Sequence, residues 1–146
     1  MRRVEKRDFN ILFDWINDKD VIKNSRYGKG KSLDEFTIWF NEKIKSQSSY
    51  MFILEKENNP LGQINFDLVE KEVVITYSVD KRFRNQGLGK ELVREVEKFI
   101  GINLKNVKKI SAYINSINIP SIKVFENLGF IREIDEKYYV KLIKNL

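Results

Sequence analysis

The sequence predicts a single α/β (α+β) domain in which a mixed, mostly antiparallel sheet of about seven strands is flanked by roughly four helices. Three observations lead there. The chain has 146 residues, 42% apolar and 33% charged, enough for one core and too few for two independent ones. Strand-like and helix-like runs alternate in the order β-α-α-β-β-β-α-β-α-β-β. One strand, Val73 to Val79, leads through a glycine turn into a long amphipathic helix.

Arg2 to Lys6 reads as a short edge strand, and Asp8 as the cap of a helix carrying Phe9, Leu12, Phe13, Trp15 and Ile16 on one face. Asn17-Asp18-Lys19-Asp20 breaks or restarts that helix, and Arg26 to Lys31, with two glycines, reads as a mobile loop. Ser32-Leu33-Asp34-Glu35 is a capping box opening a second helix with Phe36, Trp39, Phe40 and Ile44 as its buried stripe. Tyr50 to Lys56 and Leu61 to Val69 flank Glu57-Asn58-Asn59-Pro60 as a hairpin, and Val73 to Val79 completes a meander. From Gly87 to about Leu104, the residues Leu88, Leu92, Val93, Val96, Phe99 and Ile100 keep helical spacing. Lys109 to Ile114 is a buried strand. Asn118 and Pro120 begin a short helix that Gly129 stops, and Phe130 to Asp135 with Lys137 to Leu142 form a final hairpin.

Composition narrows the chemistry. There is no Cys and no His, which excludes a disulfide framework and thiolate catalysis and removes the usual general base and commonest metal ligand. No metal is expected. No run approaches the ~20 apolar residues of a membrane span, and the amino terminus lacks the apolar core of a signal peptide, so a cytoplasmic protein without a membrane partner is expected. The net charge of +6 suits an anionic ligand, but the basic residues form no block of the kind that binds nucleic acid.

Strand, glycine turn and helix N-terminus together make an anion site, because glycine admits a ligand close to the backbone while free amides and the helix dipole face it. A Walker loop is excluded by Arg84 and Glu91, and a dinucleotide fingerprint by Leu92 where its third glycine belongs. Arg84-x-x-Gly87-x-Gly89 instead resembles the Arg/Gln-x-x-Gly-x-Gly/Ala signature of GNAT acetyltransferases. Asn118 to Phe130, with Ser121, Phe125, Glu126, Leu128 and Gly129, resembles that family's second landmark. Two landmarks in the right order and spacing cover essentially the whole chain.

The resemblance implies a GNAT fold and an enzyme that moves acetyl from acetyl-CoA to a primary amine. It implies that the backbone of Val79, Asp80 and Lys81 meets the pantetheine arm in a gap between two splayed parallel strands. Arg84 and the amides of Gln86, Gly87, Leu88, Gly89 and Lys90 would hold the pyrophosphate, with Asn118, Ser121 and Phe125 on the far wall.

Two family positions depart from the pattern. A tyrosine that protonates the leaving thiolate is replaced by Phe125, and the acidic residue often found before the glycine turn would fall at Val73 or Val74. Glu72, Tyr77 and Ser78 are therefore the candidate catalytic groups. Positioning can lower a barrier by about 7 to 11 kcal/mol, against roughly 3 to 5 for a general acid or base, so direct attack on the activated thioester is expected even without a strong base. A coenzyme A-binding module without catalysis is the rival from another class.

For the acceptor, Trp15 to Asp18, Ser25, Phe36 to Phe40, Gly62 to Asp67 and Tyr77 to Asp80 resemble GNAT domains that acetylate a nucleotide-linked amino sugar in nonulosonic-acid synthesis. That likeness makes Trp15, Ser25, Arg26, Trp39 and Asn65 the candidate substrate residues, for a small-molecule amine such as a UDP-linked sugar. The Phe125 variant also resembles ribosomal-protein N-terminal acetyltransferases. A monomer or a homodimer would serve either acceptor.

Overall fold

In the computed structural model, which describes residues 1–25 and 28–146, the chain runs β1 (Arg2–Arg3), α1 (Phe9–Ile16), α2 (Lys19–Asn24), α3 (Leu33–Lys45), β2 (Ser49–Lys56), β3 (Asn59–Val69) and β4 (Glu72–Val79). It continues through α4 (Leu88–Asn103), β5 (Lys109–Asn115), α5 (Ile119–Asn127), β6 (Ile131–Asp135) and β7 (Tyr139–Asn145). Short 3₁₀ turns occupy Lys6–Asp8 and Lys81–Phe83. The strands form one sheet in the order β1-β2-β3-β4-β5-β7-β6. Every pairing is antiparallel except β4 with β5.

Several expected elements arise for the reasons read from the sequence. The Ser32 hydroxyl accepts from the Glu35 amide while the Glu35 carboxylate accepts from the Ser32 amide, closing the capping box of α3. Glu57 and Asn58 adopt φ of 53° and 64°, the mirror-image two-residue turn that matches strand twist in a hairpin. At the end of α5, the Gly129 amide donates to the Glu126 carbonyl and the Phe130 amide to the Phe125 carbonyl, the paired bonds of a Schellman stop.

Other elements differ. The edge strand is only Arg2–Arg3, and Asp8 does not cap α1 with its side chain. Its carboxylate takes two bonds from the Arg2 guanidinium, each 2.8 Å, so it fastens β1 to the chain that follows. The described residues hold five α-helices rather than four, because the Asp18 carboxylate accepts from the Asp20 and Val21 amides and restarts the helix as α2. The last hairpin does not simply extend the sheet: β7 inserts between β5 and β6.

Strand alternation sends successive side chains to opposite faces and builds two cores. On one face, Ile64, Phe66, Val73, Ile75, Ile110 and Leu142 pack against Leu92, Val93, Val96 and Ile100 of α4 and Ile122 and Phe125 of α5. Each such fully buried side chain contributes about 1.5–3 kcal/mol. On the other face, Val4, Met51 and Ile53 pack under Leu12 and Trp15 of α1 and Phe36 and Phe40 of α3. Gln63, Asn65 and Asp67 of β3 and Thr76 and Ser78 of β4 fall on this second face by the same alternation. No helix among the described residues is long and apolar enough to cross a membrane.

Candidate active site

The parallel strands β4 and β5 pair only at Glu72–Lys109, Val73–Ile110 and Val74–Ser111, and beyond these they diverge. On its other side β4 stays paired with β3 up to Gly62–Val79, and the Asp80 amide donates to the Leu61 carbonyl at 2.8 Å. Antiparallel bonding alternates, so a bonded Leu61–Asp80 position turns the N–H and C=O groups of Val79 and Tyr77 away from β3 and toward β5. Among the described residues no strand meets them there. The result is a cleft whose one wall is a β edge without a partner strand.

At the open end of the cleft lies the glycine turn. Gly87 has φ of +78°, stands at the N-cap of α4 and supplies no side-chain cap. The Glu91 amide returns to the Gly87 carbonyl at 3.1 Å, while the amides of Leu88, Gly89 and Lys90 have no partner within the helix. A β-carbon on Gly87 would meet nothing within 4 Å, so the turn is open at that position. A β-carbon on Gly89 would instead lie 2.9 Å from the Tyr77 ring. Gly89 is small to admit that ring, whereas Gly87 serves the left-handed backbone.

The cofactor-side candidates divide by what they touch. Leu88 is buried in the core and can contribute only its amide, while Lys81 and Gln86 are exposed. The Arg84 guanidinium does not face the turn: its Nε donates to the Val79 carbonyl, Nη2 to Asp18 and Nη1 to Asp20, each at 3.1 Å. The Asp80 carboxylate accepts from the Arg82 amide and guanidinium and, at 2.9 Å, from the Trp15 indole. Burial opposes its ionisation, yet these donors hold its pKa down to about 2. Asp80 is thus a joint of the fold. Asn118 caps α5 through the Ser121 amide at 3.4 Å.

The three catalytic candidates are not together. Glu72 stands at the start of β4, about 23 Å along the strand from Val79 at ~3.3 Å per residue. Its carboxylate accepts from the Ser111 hydroxyl at 2.6 Å and lies near Lys109 and Lys141. The Ser111 hydrogen bond, against the opposing effect of burial and with help from both lysines, holds its pKa below the usual range. Glu72 is thereby held at the paired end of β4, away from Val79 and the glycine turn, so the structure does not bring it together with the other two candidates. Tyr77 points to the helix side, its ring 5.9 Å from that of Phe125 and its hydroxyl beside Ser121, and burial pushes its pKa up. Ser78 points to the opposite face, where its Oγ accepts from Gln63 Nε2 at 3.0 Å. Phe125 is fully buried and has no proton to give.

Of the acceptor candidates, Trp15 is only 6% exposed and belongs to the core, so it does not line a site. Arg26 lies outside the described residues. Ser25 ends α2, and its carbonyl accepts from Asn115 Nδ2 at 3.0 Å. Trp39 and Asn65 do come together: with Lys43, Ser49, Asp67 and Thr76 they line a cavity of about 130 Å³ on the second face. From it a hydrogen-bonded chain runs from Thr76 to Asn65 (2.8 Å), to Gln63 (3.2 Å) and to Ser78 at the cleft. Gln63, Lys43, Asp67, Thr76 and Asn115 were missed in the sequence. The pattern Gln63-x-Asn65-x-Asp67 signalled three polar side chains on one strand face, but nothing local marked Asn115. Among the described residues there is no group of three or more His, Cys, Asp or Glu side chains that could hold a metal ion.

Comparison with known proteins gives this geometry a setting. A family model described as an acetyltransferase (GNAT) domain matches residues 1–131. The SPbeta prophage-derived N-acetyltransferase YokL of Bacillus subtilis is 26% identical over 136 residues, covering 91% of this chain and 76% of that protein. Spermidine N-acetyltransferase from Vibrio cholerae, solved with CoA and spermine, superposes with a TM-score of 0.84 at 15% identity, covering 99% of this chain and 93% of its own. The N-acetyltransferase PseH of Campylobacter jejuni superposes with a TM-score of 0.73 at 17% identity, covering 97% and 92%.

Proposed function

Because the chain belongs to the GNAT family of acetyltransferases, we propose that it moves acetyl from acetyl-CoA to the primary amine of a nucleotide-linked amino sugar in the cytoplasm. The cofactor half rests on the cleft. The Tyr77 backbone groups and the Val79 amide, which face the gap, can bond an extended amide-bearing arm as a strand would, and the free amides after Gly87 suit a pyrophosphate. Acetyl-CoA supplies an already activated thioester. The chain's own task is then to hold the two reactants and to stabilise charge on the carbonyl oxygen with a β4 amide. The amine nitrogen forms the new C–N bond, the C–S bond breaks with its electron pair leaving on sulfur as the thiolate, and the nitrogen's proton passes to water, from which the thiolate can be protonated.

The acceptor half rests on one observation: four carboxylates on the acceptor side already hold cations. Asp67 pairs with Lys43 at 2.8 Å, Asp18 with Arg84 at 3.1 Å, Asp80 with Arg82 at 3.1 Å, and Glu72 lies 3.6 Å from Lys109. Lys31 stands over the Trp39 ring at 5.9 Å and adds charge at the cavity rim. A polycation such as a polyamine needs unmatched carboxylates. An acceptor with phosphates and hydroxyls needs cations, amides and an aromatic face, which is the set Lys31, Asn65 and Trp39 provide. The fold likeness to a spermidine enzyme and to PseH does not choose between them.

Purified protein with acetyl-CoA should be offered a UDP-linked 4-amino-4,6-dideoxy sugar, spermidine, an aminoglycoside and N-terminal peptides. The sugar nucleotide is expected to give the highest kcat/KM by about tenfold or more. If peptides or polyamines turn over tenfold better, the acceptor reading fails and the acetyltransferase alone stands.

A further inference from the structure

Two parallel strands that pair at their base and then part leave backbone donors and acceptors facing one another across a widening gap. Something must prevent them from closing. Paired strands lie about 4.8 Å apart, and the obvious way to satisfy the Tyr77 backbone and the Val79 amide without a ligand would be to continue the β4–β5 ladder past Val74–Ser111.

The short helix α2 is fastened to both strands. At its start the Asp18 carboxylate caps the helix and accepts from Arg84 Nη2 at 3.1 Å, while Arg84 Nε donates to the Val79 carbonyl at the end of β4, also at 3.1 Å. At its end the Ser25 carbonyl accepts from Asn115 Nδ2, the last residue of β5, at 3.0 Å. The Asn115 carboxamide is fixed in this orientation because its Oδ1 accepts from the Ile117 amide at 3.0 Å. Ile110, Ala112 and Ile114 face α4 and α5, so Asn115 and the helix it holds lie on the opposite, acceptor face. Seven residues of helix from Asp18 to Ser25 span about 10 Å at ~1.5 Å each, twice the spacing of paired strands.

We propose that α2 is a strut that holds β4 and β5 apart, and that Asp18 and Asn115 are positioning residues for the cosubstrate. The inference rests on the acetyl-CoA reading of the cleft. A strut fails when either end is released, so the second release adds nothing. Two unrelated local roles would instead multiply in their effects.

Variants can spare the local duties of each residue. Asp18→Ser keeps an N-cap but cannot reach Arg84; Asn115→Asp keeps the acceptor for Ile117 and loses the donor to Ser25. Calorimetry at a temperature where thermal unfolding shows all variants folded should give an acetyl-CoA Kd raised about tenfold by each and about tenfold by both together. Unchanged single variants, or a double variant near a hundredfold, would overturn the strut. If wild-type protein fails to bind acetyl-CoA, the cofactor reading falls, and the strut is then judged on ligand-free protein by hydrogen exchange. There the variants should slow exchange at Tyr77 and Val79 as the strands close, and faster or unchanged exchange would reject it.

Discussion

The indole N–H of Trp15 donates to the carboxylate of Asp80 at 2.9 Å across 65 residues of chain, joining α1 to the start of the glycine turn. A buried tryptophan needs such a partner, and a buried carboxylate needs donors. Trp15→Phe should lower stability by about 1–3 kcal/mol, read as a shifted urea midpoint at unchanged slope. It should leave the acetyl-CoA Kd within about threefold, and a larger change would show that the ring touches the ligand.

The same carboxylate gives the fold an acid-sensitive joint. Its pKa is depressed to about 2 from 3.8, so its contribution is complete above pH 4 and is lost as pH falls through 2. The shift corresponds to about 2 kcal/mol. Asp80→Asn should therefore be less stable than wild type at pH 6, and the gap should narrow between pH 4 and pH 2. A gap constant over that range would show that the charge is not what Asp80 contributes.

What the sequence made legible was local. The Ser32–Glu35 box, the Glu57–Asn58 turn and the strand–glycine–helix run each depend on residues within a few positions of one another. What it hid depended on partners far along the chain. Trp15 read as a substrate residue because its partner, Asp80, is known only from the fold. Glu72 read as a possible base because adjacency in sequence to Val73 says nothing about which end of the strand faces the glycine turn, and Val79 lies ~23 Å further along. Asn115 carried no signal because its value lies in reaching Ser25.

Gly87 and Gly89 should respond differently to the same change. At Gly87, φ of +78° makes alanine cost about 1–2 kcal/mol without filling the space beyond. Gly87→Glu adds a carboxylate where an anion belongs and should weaken acetyl-CoA binding by more than about a hundredfold. Gly89→Ala should destabilise by collision with the Tyr77 ring and be partly rescued by Tyr77→Leu. Absence of rescue in thermal unfolding would place the requirement for Gly89 elsewhere.

Side-chain substitutions sort the candidate catalytic groups. Glu72→Gln should leave kcat within about threefold, and Phe125→Leu should keep most of it, since neither exchanges a proton at the cleft. Ser78→Ala should cost about ten- to a hundredfold in kcat, because Ser78 is the end of the chain from Thr76 and its hydroxyl faces the acceptor side. A loss of several hundredfold in Phe125→Leu would overturn the reading of Phe125, and an unchanged Ser78→Ala that of Ser78.

The pH dependence of turnover follows from the same inventory. There is no histidine in the chain, and Asp18, Glu72 and Asp80 are all displaced downward. Tyr77 is displaced upward by burial. None of these groups is poised to take a proton near neutral pH, so the attacking nitrogen must arrive already deprotonated. The reacting form of the acceptor then grows tenfold per pH unit until its own amine pKa is reached. A plot of log kcat/KM should rise with a slope of about one through pH 6 to 8, bend only at the pKa of the amine in use, and move when an acceptor of different basicity is substituted. A bend at a fixed pH for two acceptors whose amines differ by a unit or more would reveal a protein base other than these four groups.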